Sequence, residues 1–172
     1  MIPARPRTYR GVRFRSTLEA DWAATLDALG VTWQYEPEAY ILTDGSAYSP
    51  DFWLPAQRTW LEVKGPHNER HEKYAAFVDA VHKANEETEG RSPITTDEDH
   101  PDLIQVLLAR AAQHGSAHIE DGCIIHCAYC GHYSLARRTS YWCRVCWRLG
   151  GTGYAEDILF VRARDDDPPR AG

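Results

Sequence analysis

The stretch YSPDFWLPAQRTWLEVKG, residues 48–65, places three charged side chains among the most apolar residues of the chain. Side chains alternate between the two faces of a strand, so Leu61 is predicted to face the core while Glu62 and Lys64 share the opposite face. If the two strands of this stretch pair, Asp51 of the first lies beside Glu62 of the second. Two adjacent carboxylates repel unless a cation lies between them. The stretch therefore predicts a strand pair with a cation site on one face.

A divalent cation of the magnesium type fits this pair of carboxylates. Mg²⁺ binds oxygen ligands, commonly one or two protein carboxylates together with water and a substrate phosphate. Asp51 and Glu62 would supply the carboxylates, and Lys64 would help to position an attacking water whose pKa the metal lowers. This combination hydrolyses phosphodiesters. The plainer alternatives are a solvated Glu–Lys ion pair of small energetic value and an aspartate that serves a turn.

Glu19 is a third candidate carboxylate. It lies three residues after Ser16, the spacing of a capping box at a helix start. On a helical wheel it also falls beside the stripe that carries Trp22 and Leu26, which points it toward the sheet. Capping and a functional role are compatible in one side chain, so both interpretations stay open.

The apolar periodicity predicts an α/β core followed by an appended module. A helix is expected over residues 16–29, two or three strands over 31–65, and a second helix over 68–84. A further strand is expected at 91–96. A third helix is expected at 101–115, because proline opens this apolar segment and glycine closes it. The segment EDILFVRARDDD near the end is compatible with strand or helix.

Four cysteines in two CxxC pairs, one on each side of the short segment 131–142, predict a structural zinc site of the zinc-ribbon type. These cysteines are Cys127, Cys130, Cys143 and Cys146. A closed shell of four thiolates leaves no open position for a substrate, so this zinc is expected to be structural. Three nearby residues are alternative ligands: Cys123, His126 and His132.

The formal net charge is −6, but the charges are unevenly distributed. Residues 1–15 carry arginines and no carboxylate, and residues 122–155 carry four arginines and no carboxylate. Such basic segments predict a DNA partner, although ordinary solvated arginines would give the same pattern. The residues expected to contact DNA are Arg13, Arg15, Lys73, Arg137, Arg138 and Arg144. The aromatic residues interleaved with the second cluster, such as Trp147, either stack on bases or pack the module against the core.

Residues 15–65 resemble the PD-(D/E)xK nuclease superfamily and look most like its phage endonuclease I family of Holliday-junction resolvases. The shared pattern is an S-x-L-E helix start, a glycine followed by a Y-E strand, P-D-F-x-L-P, and E-x-K-G. The resemblance implies a restriction-endonuclease-like, four-stranded mixed sheet flanked by helices. It also implies dependence on Mg²⁺ or Mn²⁺ and, as one option, a homodimer. The catalytic residues that it implies are Glu19, Asp51, Glu62 and Lys64.

The expected function is a metal-dependent DNA endonuclease with branched DNA as one possible substrate. The alternatives are a restriction-like or transposition-type nuclease on duplex DNA, and a non-catalytic zinc-ribbon protein that binds nucleic acid on a nuclease scaffold.

No apolar stretch approaches the roughly 18 residues of a membrane span and no secretory signal is evident, so a cytoplasmic protein without a membrane partner is predicted. The predicted division is a basic arm at 1–15, a nuclease core at 16–115, a zinc ribbon at 116–155 and an acidic tail at 156–172.

Overall fold

The part of the chain that the structure describes folds into short strands and two helices. In the computed structural model the described residues are 5–65, 71–89, 103–138, 142–149, 152–154, 158–164 and 167–169. Their helices are α1 (Thr17–Ala28) and α2 (Glu72–Glu89), with a short 3₁₀ turn at Pro55–Gln57. The strands are β1 (Arg7–Tyr9), β2 (Val12–Phe14), β3 (Gln34–Tyr35), β4 (Tyr40–Ile41), β5 (Ala47–Tyr48), β6 (Phe52–Leu54), β7 (Thr59–Val63), β8 (Gln105–Gln113), β9 (Ser116–Ile119), β10 (Gly122–Cys127), β11 (Tyr133–Arg137) and β12 (Thr152–Tyr154).

Five strands form the central sheet, in the order β3-β6-β7-β8-β9. The pair β7 and β8 is parallel, with Thr59 opposite Gln105, and the other three pairs are antiparallel. A parallel pair needs a crossover connection, and α2 lies in the segment that joins β7 to β8. The predicted α/β class with a mixed sheet is thus confirmed.

The predicted alternation along β7 is also confirmed. Leu61 belongs to the same apolar core as Trp22 and Leu26 of α1. Trp60 belongs to a second core with Phe77 of α2, and their ring centroids are 6.0 Å apart. The two helices therefore cover opposite faces of the sheet, because neighbouring residues of a strand point to opposite sides.

Helix α1 begins and ends within one residue of the predicted range. The backbone N–H of Glu19 donates to the Ser16 hydroxyl at 3.2 Å. This hydrogen bond caps the helix start. Gly30 follows the helix with φ 67°, as glycine after a helix commonly does. Both Trp22 and Asp21 are fully buried, because the segment 158–164 also packs against α1.

The predicted third helix is wrong, since most of residues 101–115 form the long strand β8. Val106 faces the core of α2 while Leu107 and Ala109 face the core of α1. A strand buried on both faces has an almost continuous apolar run, which periodicity does not distinguish from a buried helix. His114 and Gly115 are both in the left-handed conformation. They make a tight hairpin turn to β9 instead of a helix end.

The other secondary-structure predictions are confirmed only in part. The region 31–65 holds five short strands, more than the two or three expected. The second predicted helix corresponds to α2, which extends to Glu89, while residues 66–70 lie outside the described part of the chain. The strand expected at 91–96 lies outside it as well. Residues of the expected basic arm form the β1–β2 hairpin, whose Tyr9 and Phe14 join the core.

The cysteine module is built on β10, β11 and β12, a separate three-stranded sheet with β10 in the middle. It is packed against the central sheet, since Ile124 and Leu135 belong to the α1 core. Residues 116–119, expected in the module, instead form the edge strand of the central sheet. In the described chain, neither helix has the length and apolarity that crossing a lipid bilayer requires.

Candidate active site and metal centre

Asp51 and Glu62 lie side by side on the sheet. Phe52 is opposite Leu61 in the β6–β7 register, and continuing this register places Asp51 opposite Glu62. Both side chains are buried, with 8% and 7% of their surface exposed. Asp51 Oδ2 accepts a hydrogen bond from the backbone N–H of Val63 at 2.7 Å, which fixes its position next to β7. The strand pairing predicted from the sequence therefore brings these two carboxylates together.

Lys64 and Glu62 form a buried ion pair. Lys64 Nζ donates to Glu62 Oε1 at 2.8 Å, and neither side chain is more than 9% exposed. The other oxygen, Glu62 Oε2, is buried and has no hydrogen-bond partner among the described residues. A buried, unpartnered carboxylate oxygen is energetically unfavourable and requires an explanation. A bound cation or a water held by one would satisfy it.

Glu19 lies in the first turn of α1, whose cap is Ser16, and is buried. The Ser16 hydroxyl donates to Glu19 Oε1 at 2.6 Å, and the Tyr35 hydroxyl donates to Glu19 Oε2 at 2.6 Å. The backbone N–H of Arg15 also donates to Oε2, at 3.2 Å. The inward orientation predicted for Glu19 is consistent with its burial, and of the predicted capping box the structure has the bond from the Glu19 N–H to Ser16, while the carboxylate accepts the Arg15 N–H in place of that of Ser16.

The charges of these acids act on one another. Burial raises the pKa of Asp51 well above its usual range, and the negative charges of Glu62 and Glu19 raise it further. The Val63 N–H and Lys64 oppose this effect on the pKa but do not cancel it. Three buried carboxylates with one lysine thus form a site that lacks positive charge, which is the electrostatic condition for binding a cation.

The carboxylates do not form a closed set of ligands. Among the described residues, the four cysteines are the one group of three or more possible ligands whose ligand atoms all lie within 4.8 Å of one another. The carboxylate oxygens of Asp51, Glu62 and Glu19 are therefore not all within 4.8 Å of one another, so the three residues do not form a single coordination shell. The pair Asp51 and Glu62 is suited to direct contact with an ion, and Glu19, whose oxygens accept three hydrogen bonds, is suited to contact through water.

Tyr48 is a site residue that the sequence reasoning missed. Its hydroxyl is buried and makes no hydrogen bond of good geometry in the described structure, and its ring packs 5.2 Å from that of Phe77. Burial raises the pKa of Tyr48, and the Glu62 carboxylate, which is within hydrogen-bonding range of the hydroxyl, and the charge of Asp51 raise it further. The Tyr48 hydroxyl and the Glu62 carboxylate therefore belong to one site. The only signal in the sequence is a tyrosine three residues before Asp51.

Glu36 was missed as well. Its backbone N–H donates to the carbonyl of Asp51 at 2.9 Å, and its carboxylate pairs with Arg15 at 2.8 Å. Burial raises the pKa of Glu36, Arg15 lowers it, and the charges of Glu19 and Glu62 raise it again. Glu36 therefore adds a fourth negative charge to the edge of the site.

The four-cysteine centre is the most compact group of possible ligands. Cys127 Sγ lies 3.7 Å from Cys146 Sγ, and Cys130 Sγ lies 3.7 Å from Cys143 Sγ. Thiolates at about 2.3 Å from a tetrahedral zinc are roughly 3.8 Å apart, so these sulfurs already have the spacing of a zinc shell. Burial raises the pKa of the Cys130 and Cys143 thiols, whereas for Cys127 backbone N–H groups and the neighbouring thiols outweigh burial and lower the pKa to about 7. The group fits a structural metal such as zinc.

Cys123, one of the alternative ligands, lies outside this group of four. Its thiol is half-buried, and burial raises its pKa. His126, another alternative, directs its ring Nε2 to the Gly131 carbonyl at 3.2 Å. The four cysteines alone therefore make the compact set.

The residues expected to bind DNA have different surroundings. Arg13, Arg15, Lys73 and Arg138 are exposed, and Lys73 Nζ donates to the Ala47 carbonyl at 3.0 Å. Arg137 is half-buried, with its guanidinium 2.8 Å from His82 Nε2. For these residues, contact with DNA stays a prediction.

Arg144 requires a correction. It is 2% exposed, and its guanidinium donates to the carbonyls of Gln57, at 2.8 Å, and Leu103. A DNA phosphate has no access to this guanidinium, so Arg144 instead joins the cysteine module to the core. Nearby, Gln105 Nε2 donates to the Leu135 carbonyl at 2.6 Å and makes a second connection.

In comparisons with protein-family models, with curated proteins and with solved structures, nothing was found that matches this chain. The functional argument therefore rests on the sequence and the geometry of these two sites.

Proposed function

We propose that this protein is a metal-dependent DNA endonuclease of the PD-(D/E)xK type, with a zinc-stabilised C-terminal module. The observation that carries the proposal is the buried Glu62 carboxylate. One of its oxygens binds Lys64 at 2.8 Å and the other has no partner among the described residues, while Asp51 lies opposite in the strand register. An exposed ion pair of no functional value would not need this burial.

Each residue has a distinct proposed role. Asp51 and Glu62 would hold Mg²⁺ or Mn²⁺, and Glu19 would assist through water. The bound metal supplies charge neutralisation at the phosphate and a water of lowered pKa. Glu62 holds the Lys64 ammonium group at 2.8 Å, and Lys64 would face the reacting phosphate. Its Nζ has further protons to donate to a phosphate oxygen or to the attacking water.

The fold is consistent with this proposal. The site lies on β6 and β7 of a mixed sheet with one helix on each face, as the resemblance over residues 15–65 implies. DNA is the proposed substrate because residues 1–15 and 122–155 carry arginines and no carboxylate, and Arg13, Arg15 and Arg138 of these segments are exposed. Branched DNA is the first substrate to test and linear duplex DNA the second. A homodimer, which would cut two strands, belongs to the same proposal.

Cleavage assays test this function directly. Purified protein is incubated with Mg²⁺ and a panel of four-way, flap and linear DNAs, and Glu62→Gln is compared with wild type. We expect Mg²⁺-dependent cleavage that the substitution lowers by about a thousandfold or more, because it removes a metal ligand.

Glu87→Gln makes the same chemical change on an exposed position of α2 and should leave cleavage unchanged. Equal cleavage by wild type and Glu62→Gln would remove the proposed site.

A second candidate is a non-catalytic protein that binds nucleic acid through the cysteine module. It is favoured by one observation, namely that the cysteines are compact and the carboxylates are not. Binding of DNA without cleavage under Mg²⁺ and Mn²⁺ would support this candidate over the nuclease.

A further inference from the structure

The two cysteine pairs fold into the same turn. In the first turn, the Gly131 N–H donates to the Cys127 carbonyl at 2.8 Å, and the Cys127 N–H donates to the carbonyl of His132 at 3.0 Å. In the second turn, Cys143 makes the two corresponding bonds, at 2.9 Å and 3.0 Å, with the two residues that follow the pair. The turns are therefore structurally equivalent, and their sequences can be compared position by position.

Trp147 occupies the position that is glycine in the first turn. Gly131 has φ 70° and Trp147 has φ 60°, so both are in the left-handed conformation. This conformation is free of steric cost for glycine but not for a residue with a Cβ atom. A large aromatic side chain at this position is locally unfavourable, and such an exception suggests a functional reason.

Burial does not supply that reason. Trp147 is 47% exposed, and Tyr129 of the first turn is 55% exposed. The Arg148 guanidinium lies 5.1 Å from the centre of the Tyr129 ring, which connects the surfaces of the two turns. Leu149 next to them is 59% exposed. We call Tyr129, Trp147 and Arg148 the aromatic surface of the module. Clustered exposed aromatic residues mark interaction sites, whereas single ones do not.

The charge of the module indicates the kind of partner. Residues 122–155 contain four arginines and no carboxylate, in a chain whose formal net charge is −6. Arg144 is buried, but the other three, Arg137, Arg138 and Arg148, still outweigh the net charge of about −2 of a zinc–tetrathiolate centre. A partner that is both anionic and rich in flat apolar faces matches such a surface, and single-stranded nucleic acid has both properties because its bases are unpaired.

We propose that the aromatic surface binds unpaired bases, which stack on Trp147 and Tyr129 while Arg148 contacts the adjacent phosphates. This inference rests on the proposed function in taking DNA as the partner, and it goes further by naming the substrate class. The preferred substrate is DNA that has a single-stranded segment next to the duplex, such as a flap or an open junction.

A glycine substitution gives a sharp test, since Trp147→Gly restores the residue of the equivalent turn. The zinc-loaded full chain also carries Glu62→Gln, so that DNA is not cut. Its Kd for a fluorescent oligothymidylate of about 15 nucleotides, long enough to cover one binding module, is measured by anisotropy without added Mg²⁺. We expect Trp147→Gly to raise this Kd about tenfold or more, and Trp147→Tyr to raise it much less. The melting temperature should not fall, because the change relieves backbone strain.

Two controls limit the interpretation. Ile41→Ser removes another exposed apolar side chain, 74% exposed, and should leave the Kd unchanged. A matched blunt duplex should bind Trp147→Gly and its parent alike. Unchanged oligothymidylate binding by Trp147→Gly would overturn the inference. So would a dimeric parent that Trp147→Gly converts to a monomer, because a second copy would then be the occupant.

The two proposals fail in different ways. Tight oligothymidylate binding that depends on Trp147, together with no cleavage by wild type under any metal, would refute the nuclease and retain the aromatic surface. Mg²⁺-dependent cleavage that Trp147→Gly leaves unchanged on every branched substrate would refute the aromatic surface and retain the nuclease.

Discussion

The cysteine centre and the carboxylate site differ in how their ligands are brought together. The four cysteines occur in two local turns whose backbone bonds fix each pair. The carboxylates come from α1 and from the β6–β7 pair, and burial together with their mutual repulsion raises the pKa of Asp51. The first site is compact because its ligands are local in the chain, whereas the second is held against repulsion by the surrounding fold. A structural metal suits the first arrangement, and the proposed exchangeable Mg²⁺ would bind in the second.

The largest expected effect is at the cysteine centre. Cys143→Ser should abolish zinc binding and unfold the module, because the binding energy of structural zinc is on the order of 10 kcal/mol. Elemental analysis and urea unfolding would measure this. Since Arg144 and Gln105 join the module to the core, the unfolding midpoint of the whole chain should also fall.

Cys123→Ser is the matched control, because Cys123 lies outside the group of four, and it should retain one zinc per chain. A well-folded wild type that contains no zinc would contradict the assignment of this centre.

Asp51→Asn should have opposite effects on the free energy of unfolding with and without Mg²⁺. The folded-state pKa of Asp51 is raised, so the folded protein binds this proton more tightly than the unfolded chain does. Its contribution to stability is therefore lost as pH rises from about 4 through the raised pKa. Without Mg²⁺ at pH 8, the variant should be more stable than wild type, and this difference should shrink as the pH falls.

With saturating Mg²⁺ the order should reverse, since binding to the folded state stabilises wild type alone. Urea unfolding from pH 8 to about pH 6, a range in which the cysteine thiolates keep their zinc, measures both conditions without chelator. Asp79→Asn on the exposed surface of α2 should change neither the stability without Mg²⁺ nor the stability with Mg²⁺. If Mg²⁺ stabilises wild type and Asp51→Asn equally, the ion binds elsewhere.

The smallest expected effect is that of Tyr48→Phe, which removes one hydroxyl. If this hydroxyl donates to a group bound at Glu62, cleavage should fall about tenfold, while stability without Mg²⁺ should stay the same or rise by up to about 1 kcal/mol. Cleavage rates and urea unfolding would measure the two effects.

Tyr40→Phe is the control, because its hydroxyl binds the exposed Glu38 at 2.9 Å, and it should leave the cleavage rate nearly unchanged. A loss of stability in Tyr48→Phe would mean that the hydroxyl has a structural partner.

Much of the carboxylate site could be predicted because its determinants are local. The pleat of a strand fixes which residues share a face, so Leu61 and Glu62 were assigned to the correct sides of β7. The pairing of Asp51 with Glu62 followed from two strands joined by a short connection. Tyr48 was missed because its site depends on where its ring packs against Phe77 of α2, and no short-range pattern specifies that contact.

The two wrong predictions, for Arg144 and for residues 105–113, also result from long-range contacts. Arg144 is basic and lies between aromatic residues, so it was expected to contact DNA, but its guanidinium satisfies two carbonyls in the interior. Residues 105–113 have the apolar content of a buried helix, and parallel pairing with β7 makes them a strand. In both cases long-range contacts outweigh the local pattern.

The sequence by itself determined the cysteine pairs, the Ser16 cap of α1 and the alternation of charged and apolar residues on β7, because each depends on fixed backbone geometry over a few residues. Only the tertiary structure decided that β8 lies beside β7, that the Arg144 guanidinium is buried, and that Glu19 and Tyr48 belong with Asp51 and Glu62. These outcomes depend on which distant surfaces exclude water together, and that free energy is a property of the whole fold.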